Sequence, residues 1–271
     1  MRIGIDATCL PSALAGAGRY ILGLVNGLAA LGTDHEFYIF IKSSDRALFR
    51  SIERPNIRFV TIPCATRPTR LFWELVRTPG VIRQYALDVW HAPHYIMPMA
   101  TDAGVVVTFH DMAFFIFPEL YPFLKRWMFR WAVNRASRTA DHIIATSRAT
   151  RDETSRLLDL DTDRITVVHH GIDTAFRPVV NETQVAATRY RYHIPEKYIL
   201  AVGTTDRRKN LDTLVRAYRL LVTRNDIPHA LVIAGQKGNG HGDLIREIAE
   251  NGLSDRVHLP GYVAEEDLAV L

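Results

Sequence analysis

Between Tyr198 and Asp212 the chain reads YILAVGTTDRRKNLD. An apolar run of strand length is followed by a polar turn, and the pattern then predicts a helix beginning near Lys209. A buried strand with a helix directly behind it is the βα unit of a parallel sheet, and such sheets must be covered on both faces. The free N–H groups and positive dipole end of a helix start form a seat for an anion. Arg208 and Lys209 fall at that start, where the dipole disfavours cations. Clamping a phosphate accounts for the two charges, and a solvated basic turn is the alternative reading.

The rest of the chain repeats the unit. Strand patterns fall at Ile3–Ile5, Phe37–Ile41, Ile57–Ile62, Val89–His91, Val105–Phe109, Ile143–Thr146 and Ile165–Val168. Helical patterns between them cover Arg19–Leu31, Leu71–Tyr85, Phe123–Thr139 and Arg148–Leu158. The polar stretch Phe176–Pro195, with a proline at its end, reads as a connection. The alternation then restarts with strand Tyr198–Val202, helix Leu211–Arg224, strand Ala230–Ala234, helix Gly242–Glu250 and strand Arg256–Leu259. The expected fold class is α/β. Two Rossmann-like parallel-sheet domains, residues 1–178 and 196–271, face a cleft across a linker at 179–195, and the second domain is incomplete.

Composition narrows the function. The 271 residues are 48% hydrophobic and 23% charged with a net charge of +4, ordinary for a globular protein. No basic face with interleaved stacking aromatics repeats, so nucleic acid is not an expected partner. Cys9 and Cys64 have neither metal-ligand nor redox spacing. The chain opens directly into a strand and contains no long apolar run, so the expected location is cytoplasmic.

Parallel sheets bind ligands beyond the carboxyl ends of their strands. After the first strand comes Gly16-Ala17-Gly18-Arg19-Tyr20, a glycine turn opening a helix, readable as an anion loop or as a flexible connection. It is not the tight dinucleotide fingerprint. The fifth strand ends in Thr108-Phe109-His110-Asp111, which places an imidazole at a strand terminus. Ser147 is placed to cap the following helix. The seventh strand runs into His169-His170-Gly171-Ile172-Asp173. Gly235, Gly238 and Gly240 follow a strand, as does Gly261-Tyr262; each pair of readings, nucleotide site or plain loop, stays open. His91 and His94 lack a third ligand for a metal. Asp161-Thr162-Asp163 precedes its strand and reads as a turn. Between Tyr121 and Arg156 eight Lys/Arg face three Asp/Glu, with Phe123, Trp127, Met128 and Trp131 at helical spacing. A core helix is one reading; a peripheral contact with anionic membrane is the other.

The segments MRIGIDA, GAGRY, VVVTFHD, HIIATSRATRDE, ITVVHHGID, YILAVGTTDRRKNL, LVIAG and RVHLPGYV, in this order, resemble the retaining GT-B glycosyltransferases of family 4. They are most similar in style to mannosyltransferases of lipopolysaccharide and O-antigen assembly. The resemblance implies a nucleotide-sugar donor, GDP- or UDP-hexose, and a glycan or lipid-linked acceptor, with no metal or other cofactor. It places Arg208 and Lys209 on the donor pyrophosphate and lets Gly16 and Gly18 approach phosphate and sugar. It puts His110 beside the transferred sugar as the catalytic-centre residue, and Gly235 and Tyr262 near base or ribose. Arg19 and Tyr20 fall on the acceptor side.

The family also carries a pair of glutamates later in the second domain, and no such pair follows in this sequence. With three strands in the second sheet, Tyr198–Val202 is expected at an edge, where a long apolar strand invites pairing. Weak or absent turnover of residues 1–271 is therefore expected, and a non-catalytic nucleotide-sugar or glycan-binding fragment is the alternative function. An NAD-dependent oxidoreductase is disfavoured by the missing glycine fingerprint and ribose-binding acid.

Overall fold

The computed structural model describes residues 1–10, 16–64, 66–173, 176–178, 181–225 and 227–271. The chain separates into two compact units, Met1–Gly171 and Ile172–Leu271.

The first unit is a seven-stranded parallel sheet in the order β3-β2-β1-β4-β5-β6-β7. Its strands are β1 (Arg2–Asp6), β2 (Glu36–Lys42), β3 (Ile57–Ile62), β4 (Val89–Ala92), β5 (Gly104–Phe109), β6 (His142–Ala145) and β7 (Ile165–Val167). The sequence EFYIFIK shows why β2 is interior. Phe37, Ile39 and Ile41 join one core cluster, while Tyr38 and Phe40 join the other. Side chains alternate across a strand, so both faces are covered. Gly4 on β1 is required by packing: a Cβ there would lie 2.6 Å from Leu87 and 2.7 Å from the Trp90 ring. Trp90 is fully buried.

The helices of this unit are α1 (Ala17–Ala30), α2 (Arg67–Phe72), α3 (Thr78–Tyr85), α4 (Ala113–Ile116), α5 (Phe123–Thr139) and α6 (Arg148–Leu158). The Ser147 side chain caps α6 by accepting from the Thr150 N–H. Asp161 accepts from the Asp163 N–H in the turn that leads into β7. The helix expected over Leu71–Tyr85 is not continuous. Trp73–Arg77 is a π-type segment between α2 and α3. Pro79 has no N–H for the Leu75 carbonyl, and the Met99 N–H takes that carbonyl instead at 3.0 Å.

The second unit begins with α7 (Glu182–Arg191), where an irregular connection was expected. Its polar composition conceals the helix, because Thr188 is the only residue of α7 that is buried. Asn181 caps it by accepting from the Gln184 N–H. Three parallel strands follow, β8 (Tyr198–Val202), β9 (Ala230–Ala234) and β10 (Val257–Gly261), in the order β10-β9-β8. The helices α8 (Leu211–Asn225), α9 (His241–Glu250) and α10 (Glu265–Leu268) complete it. β9 is buried throughout and flanked on both sides. β8 is the edge, with Ile199 and Val202 exposed. Asp267 on α10 accepts from Arg191 and Tyr192 at the end of α7, which ties the last helix to the first of this unit.

Candidate active site

In the second unit the expected donor residues gather at the carboxyl edge of the three-stranded sheet. Arg207–Lys209 form a 3-10 turn, and Asn210 follows in the left-handed conformation at φ 53°. α8 therefore starts at Leu211, as the pattern over Leu211–Arg224 expects, and not at Lys209 itself. Asn tolerates the left-handed region that breaks the helical run there. The cations consequently precede the helix and are not in its first turn, where Asp212 supplies the acid the dipole prefers.

The three consecutive cations differ in environment. Arg207 donates to Asp243 from Nη2 at 2.7 Å and from Nε at 3.0 Å. Arg208 and Lys209 are exposed, and their side chains make no hydrogen bond or ion pair among the described residues. The Lys209 stem lies back over the end of β8, so that a Cβ on Gly203 would sit 3.8 Å from Lys209 Cε. The ammonium is thus carried toward the edge where a parallel sheet binds ligands.

A second loop braces this turn. Asp206 Oδ1 accepts from the Asn239 N–H at 3.1 Å, and its Oδ2 accepts from the Thr204 hydroxyl at 2.7 Å. Thr205 Oγ1 accepts from the Gly238 N–H at 2.9 Å. The Thr204 hydroxyl bond, then the Asn239 amide and the charges of Arg208 and Lys209, holds the Asp206 carboxyl below its ordinary range. Gly235 and Gly238 permit the two loops to touch, because a Cβ on Gly235 would overlap the Gly203 carbonyl and one on Gly238 would overlap Asp206. Gly235 also donates its N–H to the Gly261 carbonyl at 2.7 Å, one residue before the exposed Tyr262. Gly235, Tyr262, Arg208 and Lys209 therefore line one edge of one sheet. Asp206 and Asn239, which hold the cationic turn, were not singled out from sequence; an acid directly preceding three cations was the available signal.

In the first unit a second cluster lies at the ends of β4, β5 and β7. Gly16 precedes α1 at φ 44°, Gly18 is buried in the first turn, and Arg19 is half-buried beside it. Tyr20, one residue on, stands edge-on to His110, with ring centroids 5.0 Å apart. Its hydroxyl meets Thr108 Oγ1 at 3.1 Å, and His91 Nε2 reaches the same oxygen at 2.9 Å. His110 Nε2 lies 2.8 Å from the Pro93 carbonyl. A carbonyl only accepts, so Nε2 carries the proton and Nδ1 is an acceptor in the neutral ring. Burial above all keeps His110 below its ordinary pKa, with the neighbouring His170 adding to the shift and the Pro93 carbonyl opposing it. Burial likewise lowers His91 to about 4 and His94 to about 3. Among the described residues no three His, Cys, Asp or Glu side chains are grouped to hold a metal.

Residues 14–176 match the profile of Glycosyltransferase Family 4, and residues 191–271 match that of Glycosyl transferases group 1. The chain belongs to glycosyltransferase family 4. This family 4 chain is similar to the O-antigen chain mannosyltransferase B of Escherichia coli, 26% identical over 95% of this chain and 70% of that protein. It is also similar to the alpha-D-kanosaminyltransferase of Streptomyces kanamyceticus, 27% identical over 64% of this chain and 45% of the other. Among solved structures, Anabaena HepE in complex with UDP and glucose matches at a TM-score of 0.67 and 17% identity, covering 100% of this chain and 71% of that one. WaaG, a glycosyltransferase involved in lipopolysaccharide biosynthesis, matches at 0.64 and 15%, covering 98% and 72%. The architecture is that of a GT-B glycosyltransferase, and the family is one of hexosyl-transferring enzymes.

Proposed function

We propose that this glycosyltransferase moves a hexose, with mannose the leading candidate, from a nucleotide sugar to a glycan or lipid-linked acceptor, retaining the anomeric configuration. The observation that carries this reading is the braced turn after β8, where Arg207 is neutralised by Asp243 while Arg208 and Lys209 are left unpaired. Two unpaired cations at the ligand edge of a parallel sheet suit a diphosphate, whose charge grows as the nucleotide departs. Fixed charges aimed at that growth are the expected main source of catalysis. His110 then takes a sugar hydroxyl on Nδ1, Gly16 and Gly18 bring backbone close to phosphate and sugar, and Gly235 and Tyr262 border base or ribose. Arg19 and Tyr20 lie on the acceptor side. The mannosyltransferase relative and the UDP-bound structural neighbour support the donor class.

Incubating the chain with GDP-mannose, GDP-fucose, UDP-glucose and UDP-galactose over a panel of mannosyl acceptors tests this directly. The expected result for residues 1–271 is nucleotide-sugar binding with weak turnover at most, its product a single α-linked glycan from a GDP-hexose, read by NMR of the anomeric proton. Binding of a nucleotide sugar with no product would favour the fragment reading, in which the chain only binds.

A membrane contact in the first unit forms part of the proposal. α5 carries Lys125, Arg126, Arg130, Arg135 and Arg138 and no acid. Phe123 is 72% exposed, Leu124 74% and Trp127 57%, all at the start of that helix. Apolar and cationic groups mixed on one exposed end suit an anionic bilayer, each cation contributing about 1 kcal/mol near the surface. Co-sedimentation with phosphatidylglycerol vesicles, weakened by salt and by Trp127→Ala, is expected. Equal recovery with phosphatidylcholine vesicles would remove the membrane from the account.

A further inference from the structure

Beyond β7 the exposed His170 is the residue before Gly171, with which the first unit ends. Its ring is not loose. It lies nearly parallel to that of His110, at 15° and 5.9 Å between centroids, and Tyr20 stands edge-on to it at 5.0 Å. Tyr20 makes the same edge contact with His110. The phenol therefore presents its ring to both imidazoles, and its hydroxyl is fixed by Thr108. On the inner side His94 meets His110 at 5.7 Å, and Tyr95 meets it at 5.9 Å. The His110 ring is enclosed by four rings and pinned through Nε2 to Pro93.

An imidazole held by one hydrogen bond rotates about that bond unless its faces are packed. The inner face of His110 is packed against buried core, but among the described residues only the rings of Tyr20 and His170 meet its outer face. We propose that His170, with Tyr20, is a positioning residue for His110, fixing the ring so that Nε2 donates to Pro93 and Nδ1 points as an acceptor toward the sugar. This rests on the reading that His110 meets the transferred sugar. His170 itself need not touch substrate. Its ring works by occupying the outer face, which an aromatic of similar size reproduces and an alanine does not. The charged and titratable groups around the pair are His91, His94, Tyr95 and Asp111 at His110, with His169 beside His170.

The test compares His170→Ala with His170→Phe in the full chain. Nitrogen-15 NMR of the ligand-free protein reads the His110 tautomer without any donor or acceptor. A single Nε2–H tautomer is expected for the parent and for His170→Phe, and converging Nδ1 and Nε2 shifts for His170→Ala. In transfer assays His170→Ala is expected to lower kcat roughly 2- to 12-fold, the scale of one aromatic contact, with acceptor KM held. Melting curves on both variants confirm the fold, since the side chain is exposed. An unchanged tautomer and unchanged kcat in His170→Ala would overturn the proposal, and so would a His170→Phe variant as impaired as the alanine. Full transfer by His110→Ala would overturn instead the reading that His110 meets the sugar, while the NMR comparison would still stand.

Discussion

Arg207 is bound to Asp243 with Nη2 and Oδ2 2.7 Å apart, and the two cations that follow it have no such partner. One side of a basic triplet is thus spent on structure and the other is free for a ligand. Arg207→Ala removes an exposed ion pair of the kind worth about 0–1 kcal/mol and is expected to leave nucleoside-diphosphate affinity within about threefold. Arg208→Ala is expected to lower it at least tenfold, the scale of about 1.5 kcal/mol for a charge-assisted contact. Calorimetric titration with GDP and UDP reads both variants.

The loop contact at Gly235 makes a separate, steric prediction. A methyl group there overlaps the Gly203 carbonyl, which is backbone and cannot swing away. Gly235→Ala is expected to destabilise the second unit by about 1–3 kcal/mol, as overpacking does. Urea unfolding followed by a second-unit probe measures it. Gly242→Ala is the control, because nothing lies within 4 Å of the position its Cβ would occupy.

Three buried groups in the first unit give two opposite pH windows. Glu74 on the π segment is 3% exposed, with Oε2 unpartnered and Oε1 accepting from Arg70 and Thr8. Burial, reinforced by the Asp6 charge and opposed by Arg70, raises its pKa to about 8. The folded state then holds a proton that the unfolded chain has released above its ordinary 4.5, so stability falls as pH rises from about 4.5 to about 8. Glu74→Gln is expected to flatten that fall, raising Tm relative to the parent more at pH 8.5 than at pH 5. His91 and His94 act in the other direction. Their folded values of about 4 and about 3 lie below the ordinary 6.5, so their contribution is complete above 6.5 and is lost as pH falls toward those values. Melting temperatures across this range, with His91→Gln alongside, separate the two.

Much of this fold was legible because its strands announce themselves. The apolar runs VVVTF and ALVIA coincide with the interior strands β5 and β9, since strands covered on both faces need near-continuous apolar sequence, and YILAV coincides with the edge strand β8. The edge position of β8 followed from strand order. α7 was missed because a helix that buries one threonine leaves no apolar period. The helix pattern over Leu211–Arg224 begins where α8 does, but the turn that ends in Asn210 was not legible, because a residue in the left-handed region leaves no pattern of its own. At the site, residue identity pointed to Arg208, Lys209 and His110 by their place after strands. What no sequence pattern carries is which cation of a triplet is already paired, or that Tyr20 and His170 pack against one imidazole. Those depend on contacts between segments 36 residues apart, as for Arg207 and Asp243, or more.

The central claim is that the turn after β8 seats a diphosphate, and Lys209 tests it most directly. Calorimetry of GDP and UDP binding to the parent and to Lys209→Ala, at fixed ionic strength, is the measurement. A loss of about 1.5–3 kcal/mol in the variant, with the melting temperature preserved, is the predicted result for a charge-assisted contact. Affinity unchanged within twofold would contradict the account, since the ammonium, whose stem lies over Gly203, would then have no part in holding the donor.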